Sequence, residues 1–586
     1  MAGRPFDTRL RVAGWLELNG PLHVGGLGAD PYVDLPVAVD GRSRLYVPGT
    51  SLAGALRGWM TGTSERHRLG QLWGFVADQA GPDAGVPVSG LPEGADGQAS
   101  RVVVRDGLLC EAADLARPLP RRLLEARTSV GIDRWSGTAA EGILYSRSVV
   151  PAGSYLRLEL DVESTRATWD RDRARLAALL DALRAGAIPL GGAVSRGLGR
   201  VRLRDDVAVE EQSFADREGL LAFLRGGGRV LTVDTLRAEA AAAGGDAGLT
   251  TRQHLTVTVD WKPLAPVMVR ADRAGAELDA LPLTGRSGDG LLRLVIPGGS
   301  LKGALRAHAE RILRTVARVS TGEPSSPSSS SARSSSARSS ASPSLTGFHD
   351  QLRIPQLAPA WALFGEPPRM ARQRAAGDEP RPVPWGRGAL LVDDCVSAET
   401  LDASQWERLL VEKTMPADLR GWLSTNKLEQ ADHVAIDRWT GGAADKLLFT
   451  VLEPWAVAWQ PITMTLDLSR LGDLANPPGE SADLLGESAD LLGESDEPAD
   501  AGPAPDVVLA LLLLVLRDLE QGRLPLGQGV NRGFGDVEAT VLVRDPAGAD
   551  QPLADFLSSS RGTRVKAAWR DYCASLDAAA ASEVTA

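Results

Sequence analysis

The feature that most constrains this 586-residue chain is that it spells the same ordered set of phrases twice. "LYVPGTSLAGALRGWM" from Leu45 recurs as "LVIPGGSLKGALRAHA" from Leu294, and "SVGIDRWSGTAAEGILYS" from Ser129 recurs as "HVAIDRWTGGAADKLLFT" from His433. "PLGGAVSRGLGRVRL" from Pro189 recurs as "PLGQGVNRGFGDVEA" from Pro525. Shorter echoes, "LWGF" at Leu72 against "LFGE" at Leu363 and "VVVRDG" at Val102 against "LLVDDC" at Leu390, fall between them in the same order. Turn chemistry can converge at one place but not through an ordered series, so the chain reads as a duplicated domain. Its length agrees, since single cores stop growing near ~250–300 residues.

Each copy opens on an alternating strand pattern, "LRVAGWLEL" in the first and "HLTVTVDW" in the second, where Leu255, Val257, Val259 and Trp261 share a face. A second strand follows the IDRW phrase, with Leu156, Leu158, Leu160 and Val162 in one copy and Ile462, Met464, Leu466 and Leu468 in the other. Next comes a helix, with Leu176, Leu179, Leu180 and Leu183 at i, i+3, i+4 and i+7. The glycine-rich loop then leads into a final strand. This order predicts an α+β architecture of two tandem ferredoxin-like (RRM-like) domains, each with a sheet face that a partner could meet.

The expected boundaries are 1–205 for the first domain, 206–252 for a linker region, 253–550 for the second domain and 551–586 for a C-terminal tail. Leu553, Phe556, Val565 and Trp569 suit that tail to helical packing. Two inserts interrupt the second copy, a Ser-rich one at about 319–345 and an acidic one at about 475–506. Both hold too few apolar residues to offset the entropy of ordering and are expected to be disordered.

The formal net charge of −11 would argue against a nucleic-acid partner. The segment from Gly479 to Asp506, however, holds nine Asp and Glu and no Lys or Arg, so the globular remainder is close to neutral and RNA stays open. Cys110, Cys395 and Cys573 are far apart with no C-x-x-C pairing, which indicates neither a disulfide framework nor a zinc knuckle and fits a reducing compartment. The N-terminus lacks an apolar signal core, and the greasiest run, Val507 to Leu516, is about half of a bilayer span. A cytoplasmic protein with no membrane partner is expected.

Three repeated landmarks carry chemistry. In the glycine-rich loop, Gly191, Gly192, Gly197 and Gly199 permit positive φ and close packing. Alternatively, bare backbone N–H groups approach phosphates while Arg196 and, in the second copy, Arg532 beside Gly533 and Gly535 supply charge. Loop geometry alone does not require an arginine at the same place twice. The PG-x-S phrase reads as a turn into a helix, with Thr50 or Ser51 as N-cap and Arg57 one to two turns in; Ser300, Lys302 and Arg306 are the second-copy counterparts. Its N-terminus is either simply capped or an anion site, a case that Lys302 strengthens. In IDRW, Asp133 with Arg134 and Asp437 with Arg438 form local ion pairs or present arginine and tryptophan to an RNA backbone and base.

Together the S-R-G-x-G loop before the terminal strand, the "IPG-x-SLKGALR" helix start, "LFG", the R-D strand end and the "IDR" segment resemble the RAMP superfamily. More narrowly they resemble the backbone subunits of type III CRISPR effector complexes, the Csm and Cmr kind, over about residues 8–205 and 253–545. The resemblance implies ferredoxin-like subunits that polymerise along a CRISPR RNA and kink it at regular intervals with a β-hairpin thumb. Many such subunits cut complementary target RNA at each kink with a loop aspartate and a divalent metal, magnesium or manganese, and need no organic cofactor. The chain would be two fused subunits, as in subtype III-D systems, with CRISPR RNA, target RNA and other effector subunits as partners.

The family's catalytic aspartate lies between the first strand and the PG-x-S helix, in a context like I-D-x-P. "YVDLPVAVDG" puts Asp34 there as catalytic residue and metal ligand, two residues before Pro36. RNA supplies its own 2′-OH nucleophile, so a carboxylate that holds a metal or orients the hydroxyl can suffice. On composition alone the same Asp34 reads as a loop cap. In the second copy Asp279 precedes Pro282 by one residue more, and "LAPVMV" replaces "LHVGG", which ranks Asp279 second and leaves His23, Gly25 and Gly26 without counterparts. His23 could orient RNA or support a proton transfer, although a lone histidine at a strand end is more often structural. Three functions follow: a subunit that binds CRISPR RNA and cleaves target RNA, a purely structural subunit, and a CRISPR RNA-processing endoribonuclease. The last generally uses histidine, and none of His23, His67, His254, His308, His349 and His433 match between the copies.

Overall fold

The computed structural model describes residues 6–28, 30–76, 97–242, 252–287, 290–319, 346–366, 386–475 and 502–585. The Ser-rich insert from residue 320 and the acidic insert as far as residue 501 lie outside them. Pro505 and Asp506, which the sequence pattern assigned to the acidic insert, instead open the helix Pro505–Glu520. Asp506 stands in its first turn, where the helix dipole favours a carboxylate, and pairs with Arg564 at 2.6 Å.

The described residues form two compact units. The first takes in the described parts of Met1–Arg127, Ser146–Arg252 and Gly285–Leu291; the second takes in those of Thr128–Tyr145, Gln253–Thr284 and Leu292–Ala586.

In the first unit the lead strand Thr8–Leu18 pairs antiparallel with Tyr155–Ser164 on one side and with Val201–Leu203 and Ala208–Ser213 on the other. Val102–Val104 lies beyond Tyr155–Ser164. Alternation along the lead strand buries Leu10, Val12, Leu16 and Leu18, and the helices Gly49–Met60 and Trp169–Arg184 add Leu52, Leu56, Leu176 and Leu180 to the same core. Each such side chain contributes roughly 1.5–3 kcal/mol by leaving water.

The second unit repeats this order. Its lead strand His254–Pro263 lies between Ile462–Asp467 and Val537–Arg544, with Leu390–Val392 beyond Ile462–Asp467. Leu255, Val257, Val259, Ile462, Met464 and Leu466 are buried as their alternation requires, whereas Leu468 turns out to begin a helix, Leu468–Ala475. The greasy run is the core helix Pro505–Glu520, and among the described residues no helix is long and apolar enough to cross a membrane.

The region read as a linker is part of the first unit. Ala208–Ser213 pairs with Thr8–Ala13, Arg229–Leu231 pairs in turn with Val209–Glu211, and the helix Val233–Ala242 buries Val233 and Leu236 in the same core. The glutamates of "AVEEQS" hid a short strand that buries only Val209 and Gln212. The tail forms the helices Leu553–Ser558 and Ser560–Thr585, with Leu553, Phe556 and Val565 buried and Trp569 packed against them.

Candidate functional site

The helices Gly49–Met60 and Gly298–Ala317 begin after Pro48 and Pro297, and no side chain at the expected cap position, Thr50 or Ser51, caps the first. Aspartates from the neighbouring strand ends do this instead. Asp106 Oδ1 accepts from the Gly49 N–H at 2.7 Å, and Asp394 Oδ1 from the Gly298 N–H at 2.8 Å. A Cβ on Gly49 would sit 2.4 Å from Val104 O, and on Gly298 2.2 Å from Val392 O, so these positions require glycine. Because a carboxylate already occupies the positive end of each helix, neither end is the open anion site read around Ser51 and Ser300.

Lys302 is likewise not on an RNA-facing surface: it is 5% exposed, its stem packs inward and its Nζ donates to Leu390 O at 2.6 Å. Arg306 is engaged by Glu310 at 2.7 Å and by Gly365 O at 3.1 Å. Arg57, by contrast, is exposed.

The IDRW aspartates build turns rather than local ion pairs. Asp133 Oδ1 accepts from the N–H groups of Trp135 and Ser136, and Asp437 Oδ1 from those of Trp439 and Thr440, all within 2.7–2.9 Å. Arg134 turns to Glu310, which is also in the second unit, with Nε 2.7 Å from Oε2. Burial pushes the Glu310 carboxyl up, but Arg134 and Arg306 outweigh it and hold the group below the usual carboxylate range. Arg134 is therefore structural, whereas Arg438 is exposed and Trp439 almost fully so.

The glycine-rich loops superpose in conformation. Gly191, Gly197 and Gly199 have φ of 76°, 94° and 85°, and Gly527, Gly533 and Gly535 have 87°, 86° and 90°. Gly199 N–H donates to Pro21 O at 2.7 Å and Gly535 N–H to Pro266 O at 3.0 Å, so neither is offered to phosphate. A Cβ on them would lie 2.0 Å from Leu190 O and 2.5 Å from Leu526 O. Gly199 and Gly535 are thus packing glycines, and Gly197 is buried, while Gly533 is exposed. Arg196 and Arg532 each end a single 3-10 turn, Val194–Arg196 and Val530–Arg532, with exposed side chains.

The two aspartates occupy the same place. Asp34 Oδ2 accepts from Ser146 N–H at 2.8 Å and Ser146 Oγ at 3.0 Å; Asp279 Oδ2 accepts from Thr450 N–H at 2.8 Å. The next residues, Leu35 and Ala280, bridge Arg147 and Val451 in parallel, and Val37 and Pro282 bridge Gly25 and Arg270. No residue is inserted: the register from the aspartate to these bridges is the same in both copies, and Pro282 stands at the position of Val37 rather than of Pro36. Met268 stands where His23 does, since Gln528 N–H donates to Met268 O at 2.9 Å as Gly192 N–H donates to His23 O at 2.8 Å. The geometry removes the proline offset as a ground for ranking Asp279 second, while Met268 in place of His23 keeps the other. His23 is 6% exposed with Nδ1 on Ser148 O, and burial pushes its pKa down.

In the second unit Asp279 opens onto a cleft of about 490 Å³, lined also by Arg270, His433, Lys446, Phe449 and Arg532. Lys446 holds a φ of 60° where the first copy has Gly142 at 73°. His433 Nε2 lies 2.7 Å from Glu453 Oε1, and its ring stacks on Phe449 with centroids 5.3 Å apart. Sequence reading singled out Asp279 and Arg532 but passed over Arg270, Lys446, Phe449 and Glu453, and it set His433 aside because no histidine matches it in the first copy.

Among the described residues no three His, Cys, Asp or Glu side chains gather into a metal site. Asp34 Oδ1 has no hydrogen-bond partner there, and magnesium is commonly held by one or two carboxylates with water and phosphate oxygens. A metal at Asp34 would take this one protein carboxylate and complete its shell with water or a ligand's phosphate oxygens. Burial pushes the Cys110 and Cys395 thiols up to about 11 and about 12, which suits them to packing and not to nucleophilic work.

The chain is similar to known proteins in two respects. A family model described as the RAMP superfamily matches residues 15–202 and 262–538. The CRISPR system Cms endoribonuclease Csm3 of Methanocaldococcus jannaschii is 24% identical over 214 residues, which cover 35% of this chain and 82% of that relative.

Proposed function

This chain belongs to the RAMP superfamily, and from that premise we propose that it is a two-copy backbone subunit of a type III CRISPR ribonucleoprotein. In this reading it binds CRISPR RNA, assembles with other effector subunits and cleaves complementary target RNA at two places. One observation carries the catalytic part: Asp34 on Ser146 and Asp279 on Thr450 are the same exposed carboxylate held in the same register. The relative described as an endoribonuclease supports it. The antiparallel strand order supports a ferredoxin-like fold for each half: Val201–Leu203, Thr8–Leu18, Tyr155–Ser164, Val102–Val104 in one and Val537–Arg544, His254–Pro263, Ile462–Asp467, Leu390–Val392 in the other.

Arg57, Arg196, Arg438 and Arg532, all exposed, are the side chains we assign to the RNA backbone. They hold phosphates while base pairing to the guide supplies sequence. Ser146 N–H and Oγ fix the Asp34 carboxylate and hold its pKa below the usual range, so it stays ionised while it orients the 2′-OH. A divalent metal shared by Asp34 and RNA would neutralise charge on the phosphate.

The test is to purify the assembled complex, sequence its bound RNA and map cuts on a complementary target. Asp34→Ala and Asp279→Ala are each expected to remove one cut while RNA stays bound. Unchanged cutting by the double variant would make the chain a structural subunit, and recovery of no repeat-derived RNA would sink the assignment altogether.

A further inference from the structure

The histidines of this chain differ in what their second ring nitrogen does. His308 has Nε2 on Asp518 at 2.8 Å and Nδ1 on Arg311 at 2.7 Å, and both positions are taken. His433 has Nε2 on Glu453, while Nδ1 has no partner among the described residues. Glu453 is 3% exposed, and its other oxygen accepts from Trp455 Nε1 at 3.0 Å. A buried carboxylate held in this way requires a donor at His433 Nε2, so in the neutral ring the lone pair lies on Nδ1.

The ring is held flat on Phe449 and edge-on to Phe534, with its side chain 33% exposed on the wall of the cleft that Asp279 enters. Arg270, Lys446 and Arg532 line the same cleft and make it a place for a phosphodiester. The first copy has none of this acid–base equipment: Ser129, Val149 and Gly142 stand at the positions of His433, Glu453 and Lys446.

We propose that His433 is the proton acceptor at the second cutting site, held in the required tautomer by Glu453, and that the two copies therefore cut RNA by different means. This rests on the reading above that Asp279 marks a cutting site. The target RNA 2′-OH gives its proton to His433 Nδ1, and its oxygen forms a bond to the adjacent phosphorus. The bond from phosphorus to the 5′-oxygen breaks, water protonates the departing oxygen, and the products are a 2′,3′-cyclic phosphate and a 5′-hydroxyl. Arg270, Lys446 and Arg532 hold the phosphate oxygens. Glu453 acts through His433 and is a positioning residue.

The experiment uses the assembled ribonucleoprotein and a complementary target RNA with both cuts scored separately. His433→Ala is expected to slow the Asp279-dependent cut by at least ~100-fold, the usual scale of general base catalysis, while the Asp34-dependent cut keeps its rate as an internal control. Added imidazole is expected to restore part of the lost cut, which repair of a packing defect would not do. Glu453→Gln is expected to slow the same cut less. A His433→Ala complex that makes both cuts at the parent rate overturns this inference and leaves the reading above standing. A slowed cut that imidazole does not restore also overturns it, because His433 would then act by packing alone. A parent complex that makes no cut at all overturns both.

Discussion

Ser146 donates both its backbone N–H and its hydroxyl to one oxygen of Asp34, at 2.8 and 3.0 Å. In the other copy Thr450 gives Asp279 only its N–H and sends its hydroxyl to Asp432 at 2.7 Å. The shared backbone bond sets position, and the hydroxyl is where the two copies part.

A first prediction concerns charge. The Ser146 N–H and hydroxyl hold the Asp34 carboxyl below the usual range. Its stabilising contribution is accordingly complete above the unfolded pKa of about 3.9 and lost as pH falls through the lower folded value. Ser146→Ala should raise the Asp34 pKa toward the ordinary value without reaching it, because the N–H bond remains; carbon-detected NMR titration of the carboxyl measures the change.

A second concerns the loops. Gly199→Ala and Gly535→Ala each add a Cβ against a carbonyl at a φ of 85° or 90°. Each should lower stability by about 2 kcal/mol or more, seen as a reduced thermal midpoint before any RNA is added.

A third concerns Arg134. Its loss takes from the buried Glu310 its 2.7 Å partner, leaves Arg306 as the other bonded cation with Arg314 nearby, and should cost on the order of 2–4 kcal/mol. Hydrogen exchange should quicken across Thr128–Tyr145, and the double variant Arg134→Ala with Glu310→Gln should recover part of the loss because an amide is cheaper to bury than a charge.

A fourth separates capping from RNA binding. Asp106→Ala and Asp394→Ala each remove the acceptor at a helix start and should cost roughly 1 kcal/mol of stability. RNA affinity should not fall, since these carboxylates fill an anion site rather than bind RNA; salt-dependent binding measurements decide it.

The duplication, the lead and return strands and the core faces were readable because each is a pattern within one stretch of chain. Leu255, Val257 and Val259 alternate whether or not their partners are known. The errors came where a residue's meaning depends on a distant one. Lys302 and Arg306 look like surface cations on a helix, but Leu390 O, Glu310 and Gly365 O claim them. Ser51 sits where a cap is common, yet Asp106, fifty-odd residues later, does the capping. Counting offsets to proline ranked Asp279 below Asp34, whereas the bridges at Leu35 and Ala280 show that the register is set before that proline is reached.

Lys446 carries a left-handed backbone that Gly142 adopts without strain, at a cost of roughly 1–2 kcal/mol. The second copy thus gives up folding free energy at a position where the first does not, and gains a cation at the cleft. Lys446→Gly would recover that free energy and remove the cation in one step, so a sturdier second unit and a fully charged cleft are alternatives at this position.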